Sequence, residues 1–495
     1  MIFSSWQYLL FLPVAVMLYW RLQGTARLAL VVAASYVFYM SWLPAYAVLL
    51  ALMTTLNWAL ALTLRKAVES NSLWKKPLFA VGLLMNLGAL CYYKYANFFL
   101  SNIYASLNFV FEKFGASALV VPQESWPMLN VILPLGISFF VFEFVHYIVD
   151  IYRGDKPVKS WLEFTAFAAF FPSQIAGPIK RYQDFLQSLR DPLPLDKPLF
   201  HEGMTLIVQG LFKKVAIADP IGALIFPAYM STATLSFPDA FIAAFGFLIQ
   251  VYCDFSGYTD MGRGSALLMG IRLPVNFDLP YLSSNLADFW RRWHISLGLW
   301  LRDYVYISLG GSRVERLVNW RNLFIVMVTC GLWHGAAWHY VAFGCMQGVG
   351  LVIDKEWRAL VAQVAPMRAL AATWLGTVLG VMITISFVML TYVVFRAPDL
   401  PQAMAVLTGL LNFADLQSTL WLPLVKASII PVSCVYLAFW LGTEFLKHQR
   451  NLPCFSNAKT LIYPSAIRYA SWTAAVLLAL GARPTEAVPF VYFQF

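Results

Sequence analysis

Long apolar runs separated by short charged stretches set the pattern of this chain. Ala45 to Leu64 and Ala369 to Phe395 each run uncharged for at least the roughly 18 to 20 residues that a helix needs to cross a bilayer. Interrupted apolar segments lie near residues 6–20, 28–43, 77–93, 130–150, 203–226, 238–252, 321–333, 338–354, 427–443 and 468–482. The pattern predicts an all-α polytopic membrane protein of about a dozen helices, some of them re-entrant or too short to span. Phe171-Pro172-Ser173-Gln174-Ile175-Ala176-Gly177-Pro178 breaks one apolar segment with two prolines and a glycine. That suits a re-entrant or broken helix buried in protein, or a plain helix end and turn. Residues 252–320 form a half-polar stretch too charged to span and too aromatic for a mobile loop. Inside it, Asp288 to Tyr304 interleaves aromatic and basic residues at helical spacing, as an amphipathic helix at a membrane interface would.

Composition agrees with that pattern. The chain is 60% hydrophobic and 12% charged, with a mean hydropathy of +0.66, whereas soluble domains carry about 25% charged residues. A net charge of +10 raises nucleic acid as a partner, but the basic residues cluster between apolar segments, which orients a membrane protein instead. Arg21 and Arg27, then Arg65, Lys66, Lys75 and Lys76, then Arg153, Lys156 and Lys159 fall on one side if the N-terminus is outside. Those loops are therefore expected in the cytoplasm, and residues 95–128 outside. The first apolar segment lacks the basic start and cleavage site of a signal peptide and is expected to remain as a helix. The cysteines are scattered without C-x-x-C spacing, so no metal site or disulfide framework is indicated. Without a fixed repeat or low-complexity linker, residues 1–495 read as one membrane domain, with N-terminal helices in 1–128, a catalytic core in 129–360 and C-terminal helices in 361–495.

Candidate chemistry begins at Cys330-Gly331-Leu332-Trp333-His334-Gly335, where a histidine closes an apolar run. Ionisable groups are expensive in hydrocarbon and are usually kept there for function. An imidazole in apolar surroundings stays neutral and able to accept a proton; the competing reading is a buried histidine bonded to a backbone carbonyl. His294 lies 40 residues earlier, and the Gly310-Gly311 turn between them lets the chain fold back and bring the imidazoles together. His339 reads as structural, and His201 and His448 lie in charged segments expected to be exposed. Glu143, His146 and Asp150 fall at i, i+3 and i+7 and should share a helix face, as a Glu-His pair or a polar tunnel wall. In Tyr252 to Asp260, Asp254 and Asp260 could orient a histidine, bind a substrate hydroxyl or cap helices. Asp288, Trp290, Arg291, Arg302, Asp303 and Trp333 complete the substrate and tunnel candidates. No G-x-S-x-G elbow, P-loop or G-x-G-x-x-G occurs.

Together the motifs resemble the membrane-bound O-acyltransferase superfamily, in the bacterial branch that contains the alginate O-acetyltransferase membrane subunit and the D-alanyl transfer protein of teichoic acids. The resemblance runs over nearly the whole length. It is carried by Met1-Ile2-Phe3-Ser4-Ser5, Tyr93-Lys94-Tyr95-Ala96-Asn97-Phe98, Leu135-Gly136-Ile137-Ser138-Phe139, Asp150-Ile151-Tyr152-Arg153-Gly154 and Ile175-Ala176-Gly177-Pro178. It continues in Asp254-Phe255-Ser256-Gly257-Tyr258, Phe289 to Ser296, Trp300 to Tyr304, Gly331 to Gly335 and the terminal Tyr492-Phe493-Gln494-Phe495.

The resemblance implies a ring of tilted helices around a central funnel or tunnel, with His334 at the catalytic position and His294 as the second motif histidine. It further implies acetyl transfer from a cytoplasmic thioester, acetyl-CoA by class, with no bound cofactor or metal. Arg291, Arg292 and Arg302 would then hold the donor's phosphates. The acceptor would be an extracytoplasmic polysaccharide such as alginate, reached directly or through a serine on a periplasmic relay protein, and the location a bacterial inner membrane. Two departures bear on the polymer: Met346-Gln347-Gly348 stands where relatives often carry a second His-Gly, and His146 stands where alginate proteins do not usually carry histidine. Cellulose, another exopolysaccharide and peptidoglycan stay open as acceptors. A polysaccharide-precursor transporter or flippase would also explain many helices and buried charges, and an export-complex scaffold would need no catalytic histidine.

Overall fold

The computed structural model describes residues 1–175, 177–421, 423 and 465–481. The apolar segment 427–443, His448, Cys434, Cys454 and the terminal Tyr492 to Phe495 lie outside the described residues. The described chain is helical, with one isolated bridge between Phe277 and Trp293. Among the described residues, four helical stretches are long and apolar enough to cross a membrane: Ala45–Glu69, Lys75–Lys113, Phe237–Leu268 and Trp374–Arg396.

The first helices follow the apolar runs: α1 (Trp6–Arg21), α2 (Gly24–Met40), α3 (Ala45–Glu69) and α4 (Lys75–Leu90). A π turn, Cys91–Tyr95, joins α4 to α5 (Ala96–Lys113). Residues 95–113, expected to start an outer segment, thus continue the helix. Next come α6 (Ile137–Arg153), the short α7 (Trp161–Ala169) and α8 (Tyr182–Arg190). The apolar segment 203–226 is a run of α9 (Lys197–Phe212), a second π turn (Lys213–Ala218) and α10 (Asp219–Met230).

At the centre stands α11 (Phe237–Leu268), which extends well past the expected end at residue 252. In its most apolar window 72% of the residues are buried, against 17% for Lys75–Lys113, so α11 is an interior helix and α4–α5 a peripheral one. Phe255, Tyr258 and Met261 join one apolar cluster with α1, α2, α6 and α7. Phe247, Val251 and Tyr252 join a second with α10 and α17 (Trp374–Arg396). Glycines let α9 lie on α11 backbone to backbone: a Cβ on Gly264 would meet the Gly203 carbonyl at 2.5 Å, and one on Gly210 would collide with the Gly257 carbonyl. Small residues at such crossings are how membrane helices gain close packing without a hydrophobic drive.

The interleaved stretch Asp288 to Tyr304 is not one amphipathic helix. It divides into α12 (Leu286–Arg292), α13 (Ile295–Leu301) and a π turn (Arg302–Tyr306), because His294 takes a left-handed backbone with φ +43°. Beyond it, α14 (Arg316–His334) and α15 (Trp338–Gln363) form a tight hairpin. The remaining described helices are α16 (Ala365–Ala371), α17, α18 (Leu400–Gly409) and α19 (Ser465–Gly481). The span expected from Ala369 begins instead at Trp374, after a break where Thr373 caps α17.

Candidate functional site

His334 is the last residue of α14, and Gly335 leaves the helix in an extended conformation. The hairpin fixes this end: a Cβ on Gly335 would collide with the Tyr340 ring, and one on Gly344 would meet the Met327 carbonyl at 2.6 Å. The imidazole is buried and packs edge-on against Phe395 at 5.0 Å. The Trp333 ring lies 4.9 Å from it and 5.8 Å from the His294 ring. One tryptophan ring thus contacts both imidazoles, and the fold brings the two motif histidines to the same locality.

Positioning of His294 rests on Asn276. Its carbonyl accepts the Ile295 N–H at 3.0 Å, while its Oδ1 accepts the Ser296 N–H at 3.1 Å and hydroxyl at 2.7 Å. These bonds hold a non-glycine residue in a backbone region that few side chains adopt. The Phe255 ring of α11 meets the imidazole nearly at right angles, at 4.7 Å between ring centres.

A cavity of about 180 Å³ adjoins His334, lined also by Trp42, Lys94, Ser138, Phe139 and Trp333. It lies at the Gly136 end of α6, opposite the end that carries Arg153. The segment expected to be re-entrant lies beside it. After nine helical residues, α7 gives way to buried, non-helical backbone at Phe170 to Ile175 and Gly177 to Lys180. Its exit is anchored by three successive residues. The Ile179 N–H donates to Ser296 at 3.0 Å, Lys180 pairs with Glu143 at 2.7 Å, and Arg181 pairs with Asp303.

Glu143, His146 and Asp150 share a face of α6, yet each serves a different partner. Glu143 bonds Lys180 and not His146, because the segment after Pro178 delivers an ammonium to that spot. His146 bonds the Phe142 backbone and lies flat between Tyr182 and Tyr304 at 6.4 and 5.8 Å. Asp150 accepts from the Tyr304 hydroxyl at 2.9 Å. Asp254 and Asp260 belong to α11 and do not sit at a helix end. They lie mid-helix and pair with Lys214 and Lys213 of the second π turn, each at 2.7 Å. His201 is buried rather than exposed, because α19 covers it and places the Tyr469 hydroxyl 3.1 Å away. His339 is buried and packs on Tyr340 at 4.0 Å, as a structural residue would.

Among the aromatic-basic candidates, Trp290 donates to Gln347 at 3.1 Å, and Gln347 donates to Thr391 at 2.8 Å. Gln347 thus ties α12, α15 and α17. Asp288 holds Arg292 at 2.8 Å. Arg291 is largely exposed, and Arg302 is exposed beside Asp303. Burial acts against the Asp303 carboxylate, but its bonds to Arg302 and Arg181 outweigh this and hold its carboxyl below the usual range. Sequence reasoning missed Lys94, which donates to the Trp333 and His334 carbonyls at 2.7 and 2.9 Å. A lone lysine amid Tyr92, Tyr93 and Tyr95 in an apolar run was the available signal.

Comparison with known proteins supplies the class. Residues 151–394 match the profile of MBOAT, membrane-bound O-acyltransferase family. The chain is 36% identical to a probable alginate O-acetylase of Azotobacter vinelandii over the full length of both. It is 39% identical to one from Pseudomonas aeruginosa, covering 84% of this chain and 76% of that one. A peptidoglycan O-acetyltransferase of Helicobacter pylori is 32% identical over 81% of this chain and 78% of its own. These relatives are transferases, which sets aside the transporter and scaffold readings. On this evidence the chain is a multi-pass membrane acyltransferase that belongs to the membrane-bound O-acyltransferase family.

Proposed function

We propose that this protein moves an acetyl group from a cytoplasmic thioester, acetyl-CoA by class, to a hydroxyl outside the membrane, with His334 as general base. One observation carries the reading: His334 ends a helix at the wall of a cavity, and Trp333 packs it beside His294. With the N-terminus outside, the Gly136 end of α6 and its cavity face outward, where the acceptor enters. Arg291, Arg302 and the Arg181–Asp303 pair then face the cytoplasm, where exposed guanidinium groups suit a donor's phosphates.

In the transfer, neutral His334 takes the acceptor's hydroxyl proton as its oxygen attacks the acetyl carbon. The tetrahedral intermediate collapses, the C–S bond breaks, and the leaving thiolate takes up the proton held by His334, which returns to its neutral form. The acceptor keeps the acetyl ester. Such proton transfer contributes about 10² to 10⁴ in rate, and His294 polarises the carbonyl or holds the acceptor. The names of the alginate relatives favour alginate or a similar exopolysaccharide as acceptor; the proposal places the protein in a bacterial inner membrane and has the acceptor reached directly or through a periplasmic serine that relays the acetyl group. The resemblance further supports a single membrane domain with its helices ringed around a central funnel.

The test measures thioester consumption and polymer acetylation in membranes bearing wild type, His334→Ala and His294→Ala at matched abundance. His334→Ala should lose transfer by at least about a hundredfold. Acetylation by His334→Ala at the wild-type rate would remove it as the base.

A further inference from the structure

A helix that stops at His334 leaves its last carbonyls without intrahelical donors. Two adjacent residues of another element meet that need. Tyr95 donates its hydroxyl to the Leu332 carbonyl at 2.6 Å, and the Lys94 ammonium donates to the next two carbonyls, of Trp333 and His334. The third ammonium bond, to the Ser138 hydroxyl, is long at 3.4 Å. Both donors lie in the π turn Cys91–Tyr95, inside the 39-residue helical stretch Lys75–Lys113. Such turns re-aim side chains and recur at functional sites. No carboxylate pairs with Lys94 among the described residues, so its charge answers only carbonyls and a hydroxyl. A cation favours the C-terminal end of a helix, but an ammonium without a counter-ion in a membrane segment is costly. A buried asparagine or serine would cap the helix at lower cost. Lys94 also lines the cavity that His334 lines.

We propose that Lys94, assisted by Tyr95, is a positioning residue of the transfer site: it holds the terminal carbonyls of α14 and thereby sets the His334 imidazole against the cavity. This rests on His334 acting as the base. A reacting group misplaced by about 1 Å can lose a hundredfold in rate, and the terminal carbonyls of α14 have no intrahelical donors to fix them.

The test compares Lys94→Met, Lys94→Arg, Tyr95→Phe and His334→Ala in native membranes at matched abundance, measuring kcat and KM for the acyl thioester. Lys94→Met should lower kcat by about a hundredfold while KM for the thioester stays within about twofold, since in the proposed mechanism the donor's phosphates are held on the cytoplasmic side by Arg291 and Arg302, away from Lys94. Lys94→Arg, which keeps charge and donors, should recover at least a tenth of the wild-type kcat. Tyr95→Phe removes one oxygen, and a several-fold loss of kcat is expected even if Lys94→Met fails to accumulate. Wild-type turnover by both Lys94→Met and Tyr95→Phe, with His334→Ala inactive, would overturn the positioning role and spare the base. Full activity of His334→Ala would instead overturn the base assignment itself.

Discussion

The Trp333 indole meets the His294 imidazole edge to face, at 5.8 Å between ring centres and an interplanar angle of 66°. Because Trp333 also abuts its neighbour His334, one ring spaces both imidazoles and keeps the wall between them apolar. Trp333→Phe retains a ring there and should transfer within about tenfold of wild type. Trp333→Ala opens a cavity costing about 3–5 kcal/mol and should lose far more activity. Rates and melting temperatures in detergent check both; an active Trp333→Ala would show that the spacing is dispensable.

His294 combines two separable properties, a side chain and a left-handed backbone. Asparagine tolerates that backbone better than other non-glycine residues, and the left-handed form costs most L-residues about 1–2 kcal/mol. His294→Asn should therefore melt higher than His294→Val, while both lose transfer. Asn276→Ala removes two bonds that hold the turn and should lower transfer with His294 still present. Equal melting of the Asn and Val variants would mean that the turn is not held as described.

The Lys180–Glu143 pair is buried on both sides. Glu143→Gln should cost about 3–5 kcal/mol, because it strands an ammonium in the interior. The double variant Glu143→Leu with Lys180→Met should regain most of that stability, since apolar replacement of a buried pair is often neutral. Melting of Glu143→Leu, Lys180→Met and the double variant gives the coupling; simple addition of the two single losses would rule out the pair as their cause.

Gly335 is where the chain turns from α14 toward α15, and a methyl there collides with the Tyr340 ring. Gly335→Ala should displace His334 and reduce transfer by at least about tenfold. Tyr340→Ala added to Gly335→Ala should restore part of the rate by removing the colliding ring. If the double variant is no better than the single, the collision is not what limits Gly335→Ala.

The sequence made several features legible for clear physical reasons. Hydropathy locates most helices because lipid leaves the backbone no other partner, and a histidine in an apolar run marks itself by its cost. What stayed hidden depended on distant partners. Lys213 and Lys214 sit inside an apparently apolar segment, so nothing local linked Asp254 and Asp260 to them. The break at His294 escaped because helical spacing registers no single left-handed residue, and Asn276, which stabilises it, lies in a different segment. Helical spacing puts Glu143 and Asp150 on one face, but their partners, Lys180 and Tyr304, come from distant segments.

The glycine contacts between α9 and α11 have a mechanical consequence. Gly203 faces Gly264 and Gly210 faces Gly257, so the helices run antiparallel with seven residues between contacts on each. A slide of seven residues, about 10 Å at roughly 1.5 Å per residue, would restore only one of the two glycine contacts and set Gln250 or Ile271 at the other. Any smaller slip drives side chains into carbonyls. The pair therefore acts as a ratchet locked in a single notch, and whatever rearrangement accompanies turnover has to pivot around it.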